Sequence, residues 1–158
     1  MGYFPFIWEG NTSLACELTI PFRRVSLGIV EQLGEAFSLT LWRDDGSGIT
    51  IYSQMQNVAE WLEVGVLTFE LVNACSPNDR IVVLPKEFDA PITVMKLLKE
   101  EAGSTLESGV ILEAANGSQI IVVAAVFPYN IAVQGVIDDL PRIFKPEYPL
   151  ESYTIIPM

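Results

Sequence analysis

The stretch that decides the fold is AFSLTLWRDDGSGITIYS, residues 36–53. Its centre, Asp44–Gly48, is rich in the Asp and Gly that tight turns require. On both sides of this turn the chain alternates between core-type and polar or amphipathic side chains, which is the period of a half-buried strand. The stretch therefore predicts a β-hairpin made of residues 30–43 and 49–53. The alternating apolar positions are Phe37, Leu39, Leu41, Ile49 and Ile51.

A second hairpin is predicted from residues 109–115 and 118–127, which Asn116-Gly117 joins. This dipeptide tolerates the positive φ angles of a type I′ turn. Its second strand contains the continuous apolar run 120–127, which predicts a central strand covered on both faces. Residues 66–72 also alternate, with Thr68 and Glu70 on the polar side, and predict a further strand.

The remaining segments give more varied patterns. Residues 91–102 predict a helix, because Ile92, Met95, Leu98 and Ala102 share one helical face and Gly103 can end the helix. Residues 57–64 fit a short helix or a strand, and residues 153–156 predict an edge strand that a proline stops. We therefore expect an α+β or mainly β fold, with antiparallel hairpins forming two packed sheets or a strongly bent sheet, and one or two short helices.

Composition narrows the possible functions. The 158 residues fit one domain, residues 1–158. The chain has nine Lys and Arg, twenty Asp and Glu, and no His, so its net charge is −11. Because it has no His, the chain acting alone cannot carry out imidazole-based catalysis, bind zinc through His or use His as a charge switch. Half of the residues are apolar, which is enough for a folded core despite the charge.

The sequence favours a cytoplasmic location. Its beginning lacks the basic region, the long apolar stretch and the cleavage site of a signal peptide. The longest apolar run, residues 120–127, is far too short to cross a bilayer. Cys16 and Cys75 each lie in an apolar run, which is typical of a small buried side chain rather than a disulfide.

The sequence contains no catalytic, cofactor or metal signature. The carboxylate pairs Asp44-Asp45, Glu100-Glu101 and Asp138-Asp139 are adjacent, and adjacent side chains diverge on both strands and helices. A working pair would have to come from distant residues such as Glu17, Glu70 and Glu113. No phosphate-binding glycine loop stands between a strand and a helix. We expect no cofactor and no metal, and we favour a non-enzyme while leaving enzymatic activity open.

The charge favours a basic protein as partner. It disfavours nucleic acid and anionic membranes, since the one basic pair, Arg23-Arg24, is too small to bind a polyanion usefully. In size and composition, though in no motif, the chain is similar to many bacterial immunity proteins, which neutralise basic toxin domains by binding them. This resemblance implies occlusion of a basic partner. The residues expected to pair with its Lys and Arg side chains are Asp44, Asp45, Asp138 and Asp139.

Other interpretations stay open. Solubility alone explains a strong net charge on an apolar, strand-rich chain. A small enzyme or ligand carrier would use a carboxylate or tyrosine in a pocket between the sheets. A structural homo-oligomer, such as a homodimer, would form if the terminal segments met on an exposed sheet edge. Those segments are rich in aromatic residues, which core packing also explains: Tyr3, Phe4, Phe6, Trp8, Phe144, Tyr148 and Tyr153.

Overall fold

The structure, a computed structural model, describes residues 2–30, 35–73, 80–135 and 144–158. The fold is mostly β, with twelve strands, one α-helix (α1, Leu14–Thr19) and two short 3₁₀ turns, Lys86–Asp89 and Leu150–Ser152, in those ranges. The longest of these helices has six residues, too few to cross a membrane. The strands are β1 (Tyr3–Phe4), β2 (Ile7–Trp8), β3 (Arg24–Val30), β4 (Glu35–Trp42), β5 (Gly48–Ala59), β6 (Leu62–Val72), β7 (Arg80–Val83), β8 (Thr93–Glu101), β9 (Ser104–Glu113), β10 (Gln119–Ala124), β11 (Ile131–Gly135) and β12 (Thr154–Pro157).

All of these strands belong to one sheet, so the prediction of two separate sheets is not confirmed. The order is β12-β8-β9-β10-β11-β4-β5-β6-β2, and β3 pairs with β4 and β7. Most pairs are antiparallel, but the N-terminal segment makes two parallel ones: β1 with β9, and β2 with β6. The N-terminal segment therefore pairs with β9 through β1 and with β6 through β2, and so links these two strands.

The first predicted hairpin is confirmed as β4 and β5, except that Val30 belongs to β3 and that the second strand continues to Ala59. Thr40 faces Thr50 across the pair, and the two hydroxyls lie 2.7 Å apart. In the turn, Asp45 Oδ1 accepts hydrogen bonds from the backbone N–H of Ser47 (2.9 Å) and from its hydroxyl (2.6 Å). Gly46 has a φ of 86°, which favours glycine.

The second predicted hairpin is confirmed as β9 and β10, with Gly117 at φ 90°. As expected from its apolar run, β10 is buried on both faces. Ile120 and Val122 belong to one hydrophobic cluster, whereas Ile121 and Val123 belong to another on the opposite face. The strand ends at Ala124, earlier than the apolar run does.

The predicted helix over residues 91–102 is wrong, because Thr93–Glu101 form strand β8 between β9 and β12. The apolar spacing wrongly indicated a helix because this strand has apolar side chains on both of its faces. Val94 packs in one cluster, while Met95 and Leu97 pack in the other. Residues 57–64, which fitted either element, complete the long β5–β6 hairpin.

Helix α1 lies in a segment for which the sequence predicted no element. The Ser13 hydroxyl caps it by accepting a hydrogen bond from the backbone N–H of Cys16 at 3.5 Å, and Leu14 and Leu18 are buried. The Cys16 side chain is exposed, so the expectation that it is buried is wrong. Cys75 lies outside the described residues.

Two clusters of apolar side chains cover the sheet unequally. The larger cluster joins residues of β3–β6 with residues of β9–β11, so the two halves of the sheet share one core. The smaller cluster lies on the opposite face of β8–β11, under the C-terminal residues Phe144, Tyr148, Leu150 and Tyr153. The matching face of β4–β6 is only partly covered: Thr40, Trp42, Val66 and Thr68 are buried there, whereas half-exposed or exposed side chains lie beside them, namely Ser38, Thr50, Tyr52, Gln54 and Glu70. This open face positions the candidate site.

The terminal aromatic residues mostly pack inward. Phe6 and Tyr153 are buried in the two clusters, and Phe4 and Tyr148 border a third small cluster. The N-terminal segment pairs with β6 and β9, and the strand order ends on β2 at one side and on β12 at the other. The two terminal segments thus lie at opposite ends of the strand order, and a homodimer through them stays a prediction.

Candidate functional site

The predicted partner-binding aspartates are either at a turn or outside the described residues. Asp44 lies in the β4–β5 turn, where its Oδ2 is 3.0 Å from Arg23 Nε. Asp45 is bonded within the same turn, and hydrogen bonds from Ser47 lower the pKa of its carboxyl. Both are exposed. Asp138 and Asp139 fall outside the described ranges.

The distant carboxylates do not form a catalytic pair. Glu17 Oε2 is 2.6 Å from Arg43 Nη2, Glu70 Oε1 accepts from the Tyr52 hydroxyl, and Glu113 Oε1 accepts from the side chain of Gln119. Each carboxylate has a different neighbour. In the part of the chain that the structure describes, no group of three or more Cys, Asp or Glu side chains is placed to hold a metal ion.

The open face of β5 and β6 holds two adjoining depressions that share Tyr52, Gln54 and Glu70. The first has a volume of about 520 Å³ and lies between these strands and residues 7–10. The second has a volume of about 670 Å³ and extends towards Phe37 and Tyr129. We call the first depression the outer groove, defined by Trp8, Glu9, Tyr52, Thr68 and Glu70.

Local contacts fix Trp8, which lines the outer groove from the face of the sheet that carries Phe69. The indole Nε1–H of Trp8 donates to the carbonyl oxygen of Thr12 at 2.8 Å. Gly10 leaves room for the ring, since a Cβ there would lie 2.1 Å from it. Any larger residue at position 10 would displace the indole. The ring is therefore held in place by contacts within the protein.

Tyr52 lines the groove from the other face of the sheet, and its hydroxyl donates to Glu70 Oε1 at 2.6 Å. This hydrogen bond, together with partial burial and the negative charges of Glu70 and Glu9, raises the pKa of Tyr52 to about 12. The phenol is thus neutral at physiological pH. The shift also reports that both carboxylates impose a negative potential at the same place.

Thr68 lies beside Tyr52 and has an unpartnered hydroxyl. It faces Tyr52 across the β5–β6 pair, so the two side chains lie on the same side of the sheet. Thr68 is only 3% exposed, and its Oγ1 has no hydrogen-bond partner among the described residues. Buried hydroxyls are nearly always satisfied, but this oxygen has essentially no accessible surface, so it is sealed from the groove.

A buried ion pair holds the N-terminal segment that builds one side of the groove. Glu107 accepts from Lys96 Nζ (2.6 Å), from the Tyr3 hydroxyl (2.5 Å) and from the backbone N–H of Phe6 (2.7 Å). Desolvation by burial raises the pKa of Glu107, but these hydrogen bonds and the Lys96 charge outweigh it and lower the pKa. The carboxylate therefore stays ionised and fixes residues 3–6.

Comparisons of the chain with protein-family models, with curated proteins and with solved structures returned no match. Sequence alternation already placed Tyr52 and Glu70 on the polar sides of their strands. It gave no signal for Glu9, which only the parallel pairing of β2 with β6 brings alongside.

Proposed function

We propose that this protein is a non-enzymatic binding protein that occludes a basic segment of a protein partner in the outer groove. The observation that carries the proposal is the charge of the lining. Among the described residues that line the two depressions, the charged ones are Glu9 and Glu70, both acidic. Aromatic side chains stand beside them, as at many interface centres.

The net charge of −11 supports the same proposal, because its electrostatic field acts over longer distances than the contacts of the groove. A strongly acidic protein accelerates encounter with a cationic partner and repels polyanions. Asp44 and Asp45, exposed at the β4–β5 turn, add to this field outside the groove. We retain the immunity-like role in the cytoplasm as part of the proposal, with the outer groove rather than the turn as the principal contact.

Site-specific cross-linking tests this function. A photoreactive phenylalanine analogue replaces Gln54, which lines both depressions, and as a control replaces Ile155, which is exposed on β12. In cells that make the protein, we expect an adduct from position 54 with a basic protein of pI above about 9. The purified pair is expected to associate more slowly as salt increases.

Three results would contradict the proposal. One is an absence of adducts from position 54, and another is adducts of equal yield from positions 54 and 155. The third is an association rate that does not change between low and high ionic strength, because steering by charge requires such a dependence.

A further inference from the structure

Strand β5 has an open edge along its second half. On one side its pairing with β6 continues as far as Ala59, whereas on the other side its pairing with β4 ends at Leu39 and Ile51. Among the described residues, no strand pairs with residues 52–59 on that second side. The edge of a sheet presents N–H and C=O groups that an added extended chain can bond.

The direction of the backbone groups identifies the residues of this open edge. The N–H of Arg43 donates to the carbonyl oxygen of Ser47 at 2.8 Å, across the start of the β4–β5 pair. Backbone groups of successive strand residues point to opposite edges. Every second residue after Ser47 therefore directs its N–H and C=O towards the β4 side, and beyond the paired part of β5 these are Ser53, Met55 and Asn57. The residues between them face β6 and belong to the β5–β6 pair.

A β-bulge in β4 lies where its pairing with β5 ends. Gly28 pairs with Ser38 and Ile29 with Ala36, so Phe37 is the extra residue. A bulge interrupts pairing, bends the strand and re-aims a side chain. The Phe37 ring lies close to Gly28, where a Cβ would be 2.5 Å from its Cε2 atom, and it stays 48% exposed. The bulge thus accounts for the end of the β4–β5 pair and places an aromatic ring beside the opening.

The second depression lies along this open edge. Three residues of β5 line it, Ser53, Gln54 and Met55. On its flanks are the exposed rings of Phe37 and Tyr129. An extended segment beside β5 can therefore bond its backbone to the edge and place alternate side chains against the rings and the thioether.

The surroundings of the open edge are acidic. The sequence contains no Lys or Arg between Arg43 and Arg80, a stretch that includes all of β5 and β6. Among the described residues, the charged side chain that lines the second depression is Glu70, and Glu60 and Glu63 are exposed at the tip of the β5–β6 hairpin. Edge strands are commonly protected from pairing by Lys or Pro, and residues 52–59 contain neither. The edge is therefore unprotected and favours a cationic segment.

A second copy of this chain fits the edge less well than a basic protein does. Two copies would each carry a net charge of −11, and like charges oppose their association. The same charge attracts a basic segment.

Resting on the proposed function, we propose that the basic partner adds an extended segment as a new strand along the open edge of β5. Its backbone bonds to Ser53, Met55 and Asn57, and its apolar side chains pack against Phe37 and Tyr129. Its Lys or Arg residues alternate with these apolar ones and meet the acidic surroundings. The partner is thereby a protein with an exposed segment of alternating basic and apolar residues.

Hydrogen exchange of the free, full-length chain tests whether the edge is open. The amide hydrogens of Met55 and Asn57 face the edge, whereas those of Gln54 and Gln56 face β6. We expect the first pair to exchange at least about tenfold faster than the second pair, because only the second is held in a strand pair.

The probe for binding is the peptide acetyl-Val-Lys-Val-Lys-Val-Lys-Val-amide. One counterpart has Glu in place of Lys, and another has every backbone nitrogen methylated, so that it keeps the side chains without their backbone donors. With the Lys peptide we expect saturable NMR shifts and slower exchange at the amides of Ser53, Met55 and Asn57. The Glu peptide should bind at least about tenfold more weakly, and the methylated peptide should cause no shift.

Variants separate the backbone from the side chains of the edge. Met55→Pro removes one edge N–H and should weaken the Lys peptide at least about tenfold, whereas Met55→Ala keeps that N–H and should weaken it less. Glu70→Gln should weaken it severalfold. Glu151→Gln is the matched control and should bind normally, because Glu151 is an exposed carboxylate outside both depressions. If Met55→Pro does not fold, the methylated peptide makes the same test on the parent protein.

Slow exchange of Met55 and Asn57 in the free protein would overturn the proposal, because the edge would already be paired. Protection that increases with protein concentration would identify a second copy as the occupant, and protection independent of concentration would identify a segment of the same chain. Equal binding of the Lys and methylated peptides, or of the Lys and Glu peptides, would also overturn it.

Absence of any shift with the Lys peptide at millimolar concentration would overturn the strand addition as well. If a basic protein were nevertheless cross-linked at position 54, the proposed function would stand and the strand addition alone would be wrong. Failure of both experiments would overturn both proposals.

Discussion

Trp61 at the tip of the β5–β6 hairpin gives a direct test of backbone strain. Its φ is 67°, in the left-handed region, and its side chain is 94% exposed. A residue with a Cβ is disfavoured there by about 1–2 kcal/mol relative to glycine. The exposed ring buries almost nothing that could offset this cost. Trp61→Gly should therefore stabilise the protein.

The net gain is smaller than the strain itself. Glycine adds flexibility to the unfolded chain, which costs about 0.5–1 kcal/mol. We expect the free energy of unfolding to rise by about 0.5–1 kcal/mol, equivalent to roughly 1–4 °C in Tm for a chain of this size. Trp61→Ala, which removes the ring but keeps the Cβ, should change the stability by less than about 0.5 kcal/mol.

Urea unfolding followed by circular dichroism measures both variants against the parent. Ala102→Gly is a matched comparison, because Ala102 is exposed at the β8–β9 hairpin tip with a φ of 50°. It should stabilise the protein in the same way. A loss of stability in Trp61→Gly that Trp61→Ala shares would refute the reasoning, because it would mean that the indole makes stabilising contacts.

Three further perturbations test the core and the buried charges. Glu107→Gln should lower the free energy of unfolding by about 2–3 kcal/mol at pH 7, because it leaves Lys96 without its charged partner. The difference between variant and parent should shrink as the pH falls below 4.5, the ordinary pKa of a glutamate. A difference that stays constant across pH would contradict this. The pKa of Glu147 is shifted in the opposite direction. Burial and the nearby Glu101 raise it above 4.5, although the Gly65 N–H donates a hydrogen bond to the carboxylate. Ionisation of Glu147 at neutral pH therefore destabilises the folded protein. Glu147→Gln should raise Tm at pH 7 and have little effect below pH 4.5, and a lower Tm at pH 7 would contradict it. Gly65→Ala should destabilise by about 1–3 kcal/mol in thermal unfolding, since its Cβ would lie 2.5 Å from Ala124 Cβ and 2.8 Å from Ser53 Oγ, and an unchanged Tm would show that these neighbours yield easily.

The sequence predicted best the two hairpins, whose signals lie within a few neighbouring residues. The alternation around Asp44–Gly48 and the Asn116-Gly117 dipeptide placed both hairpins, because turn residues and a period of two are enough to specify adjacent antiparallel strands. Residues 93–101 were missed because burial on both faces removes the alternation. Without that alternation, apolar spacing alone does not distinguish a strand from a helix.

The candidate site was less accessible to sequence reasoning. The acidic character of the contact was predicted from composition, but the aspartates chosen for it lie at a turn or outside the described residues. Glu9 and Glu70 meet only because β2 pairs in parallel with β6, a contact between residues about sixty positions apart. The unpartnered, buried hydroxyl of Thr68 depends on side-chain packing, which no local sequence pattern reveals.

The pairing of the N-terminal segment has a consequence for biosynthesis. Tyr3 and Phe6 bond to Glu107, which follows them by 104 and 101 residues. During synthesis Tyr3 and Phe6 leave the ribosome long before Glu107 does, so they stay without this hydrogen-bond acceptor until about a hundred further residues have been added. Closure is therefore a late step with a high contact order, and it is slow compared with formation of either hairpin.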